Sequence, residues 1–365
     1  MADSEAVSTC ALSPFLSLVH RSMEAWESLV GRDHTMRRRL SLAKFFIQRY
    51  KNLDELFCEG PAMFWFFQLR EAFMSQKTMT KWSRERLHEY VLLPALNGFV
   101  GRNECFFVSH FWRTKEDPDP DGEYLRLNQE ELRPQPWLYV WVDWTCIPQH
   151  PRSQNEEFYF LRSLNNMSGI IRNCGFMSFY PPFEPRLWIL YEIAEYNLTC
   201  IGEMEATEDI KEFANHLKEM VHFGVRSTLD RHGYRCTYGP DKEFLTAWLE
   251  ILVILTRLDI DIDEVRSVLD ALTWHHPISI LQGTIRGPLQ IRPYEGTMVL
   301  NDDERYTFTP LPEHGKFSRD ITTERKVASS AGSTVAQLKY LVCEVFKSIQ
   351  DRDDDLVKRT GSPQQ

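Results

Sequence analysis

Apolar residues recur along this chain at two different periods, and the change of period divides it into regions. Over residues 15–99, Leu, Phe and Trp alternate with charged residues at roughly helical spacing. The segments 39–56, 61–74 and 83–99 are the clearest examples. Gly60-Pro61 reads as a stop followed by a proline suited to the first helical turn. The Phe64-Trp65-Phe66-Phe67 run is expected in the core. The periodicity therefore predicts an N-terminal helical region over 1–100.

The texture changes at residue 101. Short β-prone runs alternate with turns and helices up to residue 200, the pattern of βα units around a mostly parallel sheet. Three of these runs break into polar or ring-bearing residues: Cys105-Phe106-Phe107-Val108-Ser109-His110-Phe111-Trp112, Tyr139-Val140-Trp141-Val142-Asp143, and Phe176-Met177-Ser178-Phe179-Tyr180. Open α/β sheets place their ligand crevice at the carboxyl ends of strands, so the three breaks are expected to meet. The Asp117-Pro118-Asp119-Pro120-Asp121-Gly122 stretch is a rigid non-helical loop after the first of these strands, predicted to overhang the crevice. Its aspartates read as a solvated turn rather than a cation site.

Helical spacing returns over 207–272, most clearly at 210–221 and 243–258. Residues 283–308 are punctuated by Gly and Pro, with a hairpin expected near 295–309. Val335, Leu338, Val342, Val345 and Ile349 fall on one helical face, with Ser333 or Thr334 as cap. Residues 201–350 thus form a mainly helical region, and 351–365 a polar tail. No internal repeat is visible.

Composition narrows the function classes. The chain has 365 residues and a net charge of −10, which argues against a broad nucleic-acid face. Arg37-Arg38-Arg39 reads as a solvated helix face. The eight cysteines are scattered, mostly in apolar runs and without a CxxC pair, as suits a reducing compartment. Residues 1–20 lack the basic start and apolar stretch of a signal peptide. The most apolar segment, 244–258, is interrupted and too short to span a bilayer. A cytoplasmic protein without a membrane partner is expected, and the Asn-x-Ser/Thr triplets at Asn166 and Asn197 are read as chance matches.

Chemistry concentrates at the three breaks and the helix after them. Leu187, Leu190, Tyr191 and Ala194 mark that helix's buried face, with Trp188, Glu192 and Glu195 on a neighbouring one. A glutamate beside a large aromatic loses solvation, which raises its pKa and suits it to bind sugar hydroxyls or act as a base. An ordinary surface glutamate is the competing reading. Ser109 and His110 are adjacent on a strand and point to opposite faces, so they do not form a catalytic pair with each other. A binding role at the strand end is expected for both, together with Trp112 and Asp143. Cys146 is a thiol nucleophile only if His110 approaches it. His275-His276 has no neighbour at ligand spacing, no HExxH occurs, and no metal is expected. GxxxxGK and GxGxxG are both absent, so any nucleotide is held by strand-end groups and aromatic stacking.

These residues carry a resemblance. Phe106-Phe107-Val108-Ser109-His110 resembles the first strand of the TIR-like superfamily. Val140-Trp141-Val142-Asp143-Trp144-Thr145-Cys146-Ile147-Pro148-Gln149 resembles the pattern of its fungal heterokaryon-incompatibility (HET) branch, with Pro148 where that branch usually has Asn. Met177-Ser178, Arg186-Leu187-Trp188 and Glu192 resemble the third family element. The resemblance covers residues 105–196. It implies a TIR-like, flavodoxin-like, mostly parallel sheet, here with large helical N- and C-terminal flanks. In enzymatic TIR domains the helix glutamate contacts the ribose of NAD and supports cleavage of the nicotinamide glycosidic bond. Glu192 would take that role, with Ser109, His110, Trp112, Asp143, Cys146, Arg186 and Trp188 lining the pocket.

Three functions follow. The first is an enzyme binding NAD or a related nucleotide and cleaving or transferring at its N-glycosidic bond, with NAD as substrate and no cofactor required. The second is a non-enzymatic signalling module that self-assembles into a homo-oligomer in self/non-self or cell-death responses. The third is a fungal secondary-metabolism enzyme of acyl or aminoacyl transfer. Charged tRNA, the one nucleic-acid partner considered, belongs to the third reading. The glutamate placement, and the lack of a separate sensor or repeat domain, favour the enzyme.

Overall fold

The computed structural model describes residues 13–31, 34–58, 63–95, 98–114, 116–200, 207–258, 260–272, 289–301 and 303–312. By internal contacts the chain divides into Met1–Leu311 and Pro312–Gln365, and the elements below belong to the first unit. The helix expected over 335–349 and the His275-His276 pair lie outside the described residues.

Helices α1 (Pro14–Val30), α2 (His34–Ile47) and α3 (Leu53–Cys58) open the fold. Ser13 caps α1 by accepting the Leu16 amide, with proline in the first turn. Arg37 and Arg38 are exposed on α2, as their charge requires.

The next two segments depart from the expected helices. Residues 61–74 hold strand β1 (Phe64–Leu69) and a short helix α4 (Arg70–Ser75). Residues 83–99 hold a 3-10 helix (Arg84–Glu89) and strand β2 (Tyr90–Pro94), antiparallel to β1. Phe64, Trp65, Phe66 and Phe67 are all buried, so the core reading of that run stands. The physical reason for the misreading is the same at both places. A strand covered on both faces is a continuous apolar run, and periodicity cannot separate it from a buried helix.

β2 is an edge strand, and α1 covers it. Ser22 Oγ accepts the Leu92 amide at 2.8 Å, and Trp26 Nε1 donates to the Leu92 carbonyl at 2.6 Å. Arg21 donates to the Tyr90 carbonyl. The backbone groups an edge would offer to another chain are thereby occupied.

Strand β3 (Cys105–His110) leads through the proline loop into α5 (Glu123–Leu132). In that loop Asp119 is buried and accepts the amides of Tyr124 and Leu125, so it acts as a helix cap. Gly122, at φ 66°, makes the left-handed turn into α5, where a Cβ would stand 2.9 Å from the Lys77 carbonyl oxygen. Strand β4 (Tyr139–Trp141) runs into the short α6 (Asp143–Cys146). Helix α7 (Gln154–Asn173) starts on a capping box of Ser153 and Glu156 and leads to β5 (Gly175–Phe179). Helix α8 (Leu187–Thr199) follows.

The sheet has five strands in the order β2-β1-β4-β3-β5. β4, β3 and β5 are mutually parallel, whereas β1 pairs antiparallel with both β2 and β4. The expected α/β class holds, with a mixed sheet in place of a mostly parallel one. The order also differs from the 2-1-3-4-5 of flavodoxin-like folds. Two of its strands come from the region expected to be wholly helical.

Side chains alternate along β3. Phe106 and Val108 pack with Leu125, Leu132, Trp137, Val140 and Trp144. Phe107, one residue on, stacks on Trp141 and Phe176. This alternation decides which partners Ser109 and His110 meet.

The remaining elements are helical or meander-like. Helices α9 (Lys211–Phe223), α10 (Val225–Arg231), α11 (Gly239–Arg257) and α12 (Ile262–Leu272) carry the helices expected over 210–221 and 243–258. α11 is largely buried, and no helix among the described residues is long and apolar enough to cross a membrane. Strands β6 (Leu289–Arg292), β7 (Thr297–Leu300) and β8 (Glu304–Thr307) form an antiparallel meander that includes the expected hairpin.

Candidate functional site

The three parallel strands end together, and each end contributes a polar group. Because β3 alternates faces, its last two residues reach opposite sides of the sheet. Ser109 follows Phe107 and hydrogen-bonds with α8 and the end of β5. His110 follows Val108 and hydrogen-bonds at the end of β4.

On the first side, Tyr180 donates its hydroxyl to Ser109 Oγ at 2.6 Å, and Ser109 donates to Glu192 Oε2. Ser109 and Tyr180 are buried, and Glu192 keeps partial exposure. Burial pushes the Glu192 carboxyl up to about 8, the Ser109 hydroxyl opposes this, and the Asp143 carboxylate adds to it. No ion pair reaches Glu192 among the described residues. Burial, reinforced by Glu192, also holds the Tyr180 phenol well above its ordinary value, so Tyr180 remains a donor.

On the second side, His110 Nε2 lies 2.6 Å from Asp143 Oδ1, with the ring as donor to the carboxylate. Trp112 Nε1 donates to Asp143 Oδ2 at 2.9 Å, and the Trp144 amide donates to Oδ1 at 2.5 Å. His110 Nδ1 is buried without a hydrogen-bond partner among the described residues. Trp112 stands edge-on to Trp144, their ring centroids 5.3 Å apart. Gln149 donates to the carbonyls of Asp143 and Ile147, which folds the segment after Asp143 back on itself.

The expected residues fall into two hydrogen-bonded clusters, Ser109 with Glu192 and His110 with Trp112 and Asp143, linked by the effect of the Asp143 charge on Glu192. Ser109 and His110 hydrogen-bond to different carboxylates, as the alternation of strand faces required. Trp188 sits one turn before Glu192 on α8 and donates to Asp241 Oδ2 at 3.2 Å. Arg186 precedes α8, its guanidinium 4.8 Å from the centre of the Phe111 ring. Cys146 does not join them. It is wholly buried with its thiol toward the Val140 carbonyl, and burial pushes that thiol up to about 11. A protonated, covered thiol is neither nucleophile nor pocket wall.

Two features escaped the sequence reading. Tyr180 was visible only as the last residue of an apolar run, and only the fold brings it to Ser109. Glu195, expected beside Glu192, is instead buried against Arg172 and Trp248. A separate hollow of about 440 Å³ is lined by Asp54, Arg84 and residues 153–156. Arg84 already bonds both Asp54 and Glu156 there, so these charges satisfy one another.

The raised pKa of Glu192 makes stability depend on pH. Its carboxyl titrates near 8 in the folded chain and near 4.5 when unfolded. Between those values the folded state holds the extra proton, so stability falls as pH rises from 4.5 to 8, and the whole penalty is present above 8. E192Q has no such proton to lose. Thermal unfolding at pH 5 and pH 9 is expected to show a smaller drop in midpoint for E192Q than for the parent chain. Equal drops would mean that Glu192 is solvated.

No protein-family model, no curated protein and no solved structure matches this chain.

Proposed function

We propose that the chain binds NAD or a related nucleotide and cleaves or transfers at its N-glycosidic bond, with Glu192 at the reacting centre. One observation carries this reading. Glu192 is a carboxyl desolvated by burial, without a cationic partner among the described residues, held by Ser109 at the end of β3 and close enough to Asp143 to feel its charge. Such a group is complemented by a ligand that brings positive charge. NAD does so: its pyridinium ring is cationic, and that one charge passes to the ribose as oxocarbenium character when the bond to nicotinamide breaks. A carboxylate beside that carbon stabilises the charge as it develops.

The bond pair of C1′–N leaves with nicotinamide, which departs neutral and needs no acid. A water oxygen or another acceptor hydroxyl forms the new bond to C1′ and loses its proton to solvent. Ser109, held by Tyr180, keeps the Glu192 carboxylate aimed. Trp112 and Trp188 offer ring faces for stacking. The likeness of residues 105–196 to the TIR-like superfamily and its HET branch supports the same reading. The mixed sheet sets this chain apart from a flavodoxin-like member.

The test is incubation of the purified full chain with NAD, with products followed by mass spectrometry. Nicotinamide and ADP-ribose, or an ADP-ribosyl adduct, are expected. A folded chain that consumes no NAD would overturn the reading and favour a non-enzymatic signalling module.

A further inference from the structure

A second cluster lies on the helical side of the fold. Glu212, His216 and Glu219 follow i, i+4, i+7 spacing and share one face of α9. After Gly224, at φ 92°, α10 carries the chain to His232 at its C-terminal cap. The His216 and His232 rings stack with centroids 3.6 Å apart. One ligand atom each from His216, Glu219 and His232 can be chosen so that all lie within 4.8 Å of one another.

We propose that His216, Glu219 and His232 bind a divalent transition-metal ion of the zinc class. Two imidazoles and a carboxylate form a donor set used for zinc and for non-haem iron, with at least one position left for water or another ligand. The ring orientation suits the role. The Tyr234 hydroxyl lies 2.8 Å from His216 Nδ1, which leaves Nε2 as the ligand atom and supplies the outer contact that metal-bound histidines ordinarily have. His216 is buried, so its ring is held in place before any ion arrives. His232 Nε2 is 2.9 Å from Glu219 Oε2, so the ion would replace that hydrogen bond. Glu212 Oε2 stands 4.0 Å from His216 Nε2, on the same side. Arg231 Nη1 is 3.2 Å from Glu219 Oε2, and its half-exposed side chain has room to withdraw into solvent.

The position gives the ion a consequence for the first site. Phe213, on the same helix, packs against Tyr180 and Phe183, and Asp209 accepts the Tyr180 amide at 3.0 Å. Clamping α9 to the end of α10 would stiffen the support behind Tyr180.

The experiment titrates zinc into the chelator-treated full chain by calorimetry, with thermal unfolding in parallel. About one ion per chain is expected to bind with a rise in the unfolding midpoint. Because removing the buried His216 risks the fold, the variants are His232→Ala and Glu219→Gln, whose parent side chains are partly exposed. Each is expected to weaken binding at least about tenfold. His222→Ala, an exposed histidine on the same helix, is expected to leave it unchanged. No stoichiometric binding, or binding that neither His232→Ala nor Glu219→Gln weakens, would overturn the proposal. Neither result depends on NAD turnover.

Discussion

Replacing Glu192 by Gln is expected to lower nicotinamide release from NAD about a hundredfold or more, with the fold intact. Gln keeps the shape and can still accept from Ser109, so packing barely changes. What is lost is the negative charge facing the ribose as cationic character develops. Because that charge matters in the transition state, the loss should fall mainly on kcat rather than KM. The pH profile sharpens the prediction. The carboxylate is the active form, and burial places its titration at about 8 in the free protein. The parent chain's kcat/KM should therefore rise with pH through that value, and the limb should be absent from the residual activity of E192Q. A bound pyridinium cation would favour the ionised form, so the corresponding limb in kcat should lie lower. Turnover unchanged in E192Q would remove Glu192 from the chemistry, whatever the substrate.

The parts of this site differ in how legible they were in the sequence, and the differences have physical causes. Ser109, His110 and Asp143 each follow a short apolar run, and strand ends are where α/β sheets gather ligand groups, so their place at the strand ends was predictable. Alternation along β3 told that Ser109 and His110 would part company. Glu192 followed from the buried stripe Leu187, Leu190, Tyr191 and Ala194, all of which are fully buried on α8. The strands β1 and β2 were not legible, because a run such as Phe64-Trp65-Phe66-Phe67 is apolar at every position and has no period to read. Tyr180 and the His216–Glu219–His232 cluster depend on contacts between segments distant in sequence, where spacing carries no signal. Glu195 was misplaced for a related reason. Its partners sit on two other helices, and without them a glutamate belongs outside.

Those partners make the loss of Glu195 strongly destabilising. Arg172 on α7 donates to Glu195 Oε1 at 2.5 Å and to Asp270 Oδ1 of α12 at 2.6 Å. Trp248 of α11 donates to Glu195 Oε2 at 2.6 Å. Arg172 and Glu195 are at most 1% exposed, so water does not screen the pair. Burial opposes the charge on Arg172, and Glu195 and Asp270 more than offset it, raising its pKa. Glu195→Ala would leave the guanidinium with one carboxylate and Trp248 Nε1 without its acceptor. It is expected to cost about 3–5 kcal/mol in denaturant unfolding. Glu195→Gln keeps an acceptor for Trp248 but removes one of the two carboxylates that Arg172 bonds. Adding Arg172→Met to Glu195→Gln removes both charges at once, so the double variant should be more stable than the two single effects summed. Additive effects would mean that the pair contributes packing alone. A cost below about 1 kcal/mol for Glu195→Ala would mean that solvent reaches Arg172 once the carboxylate is gone. Neither outcome fits four helices joined through one buried arginine and glutamate.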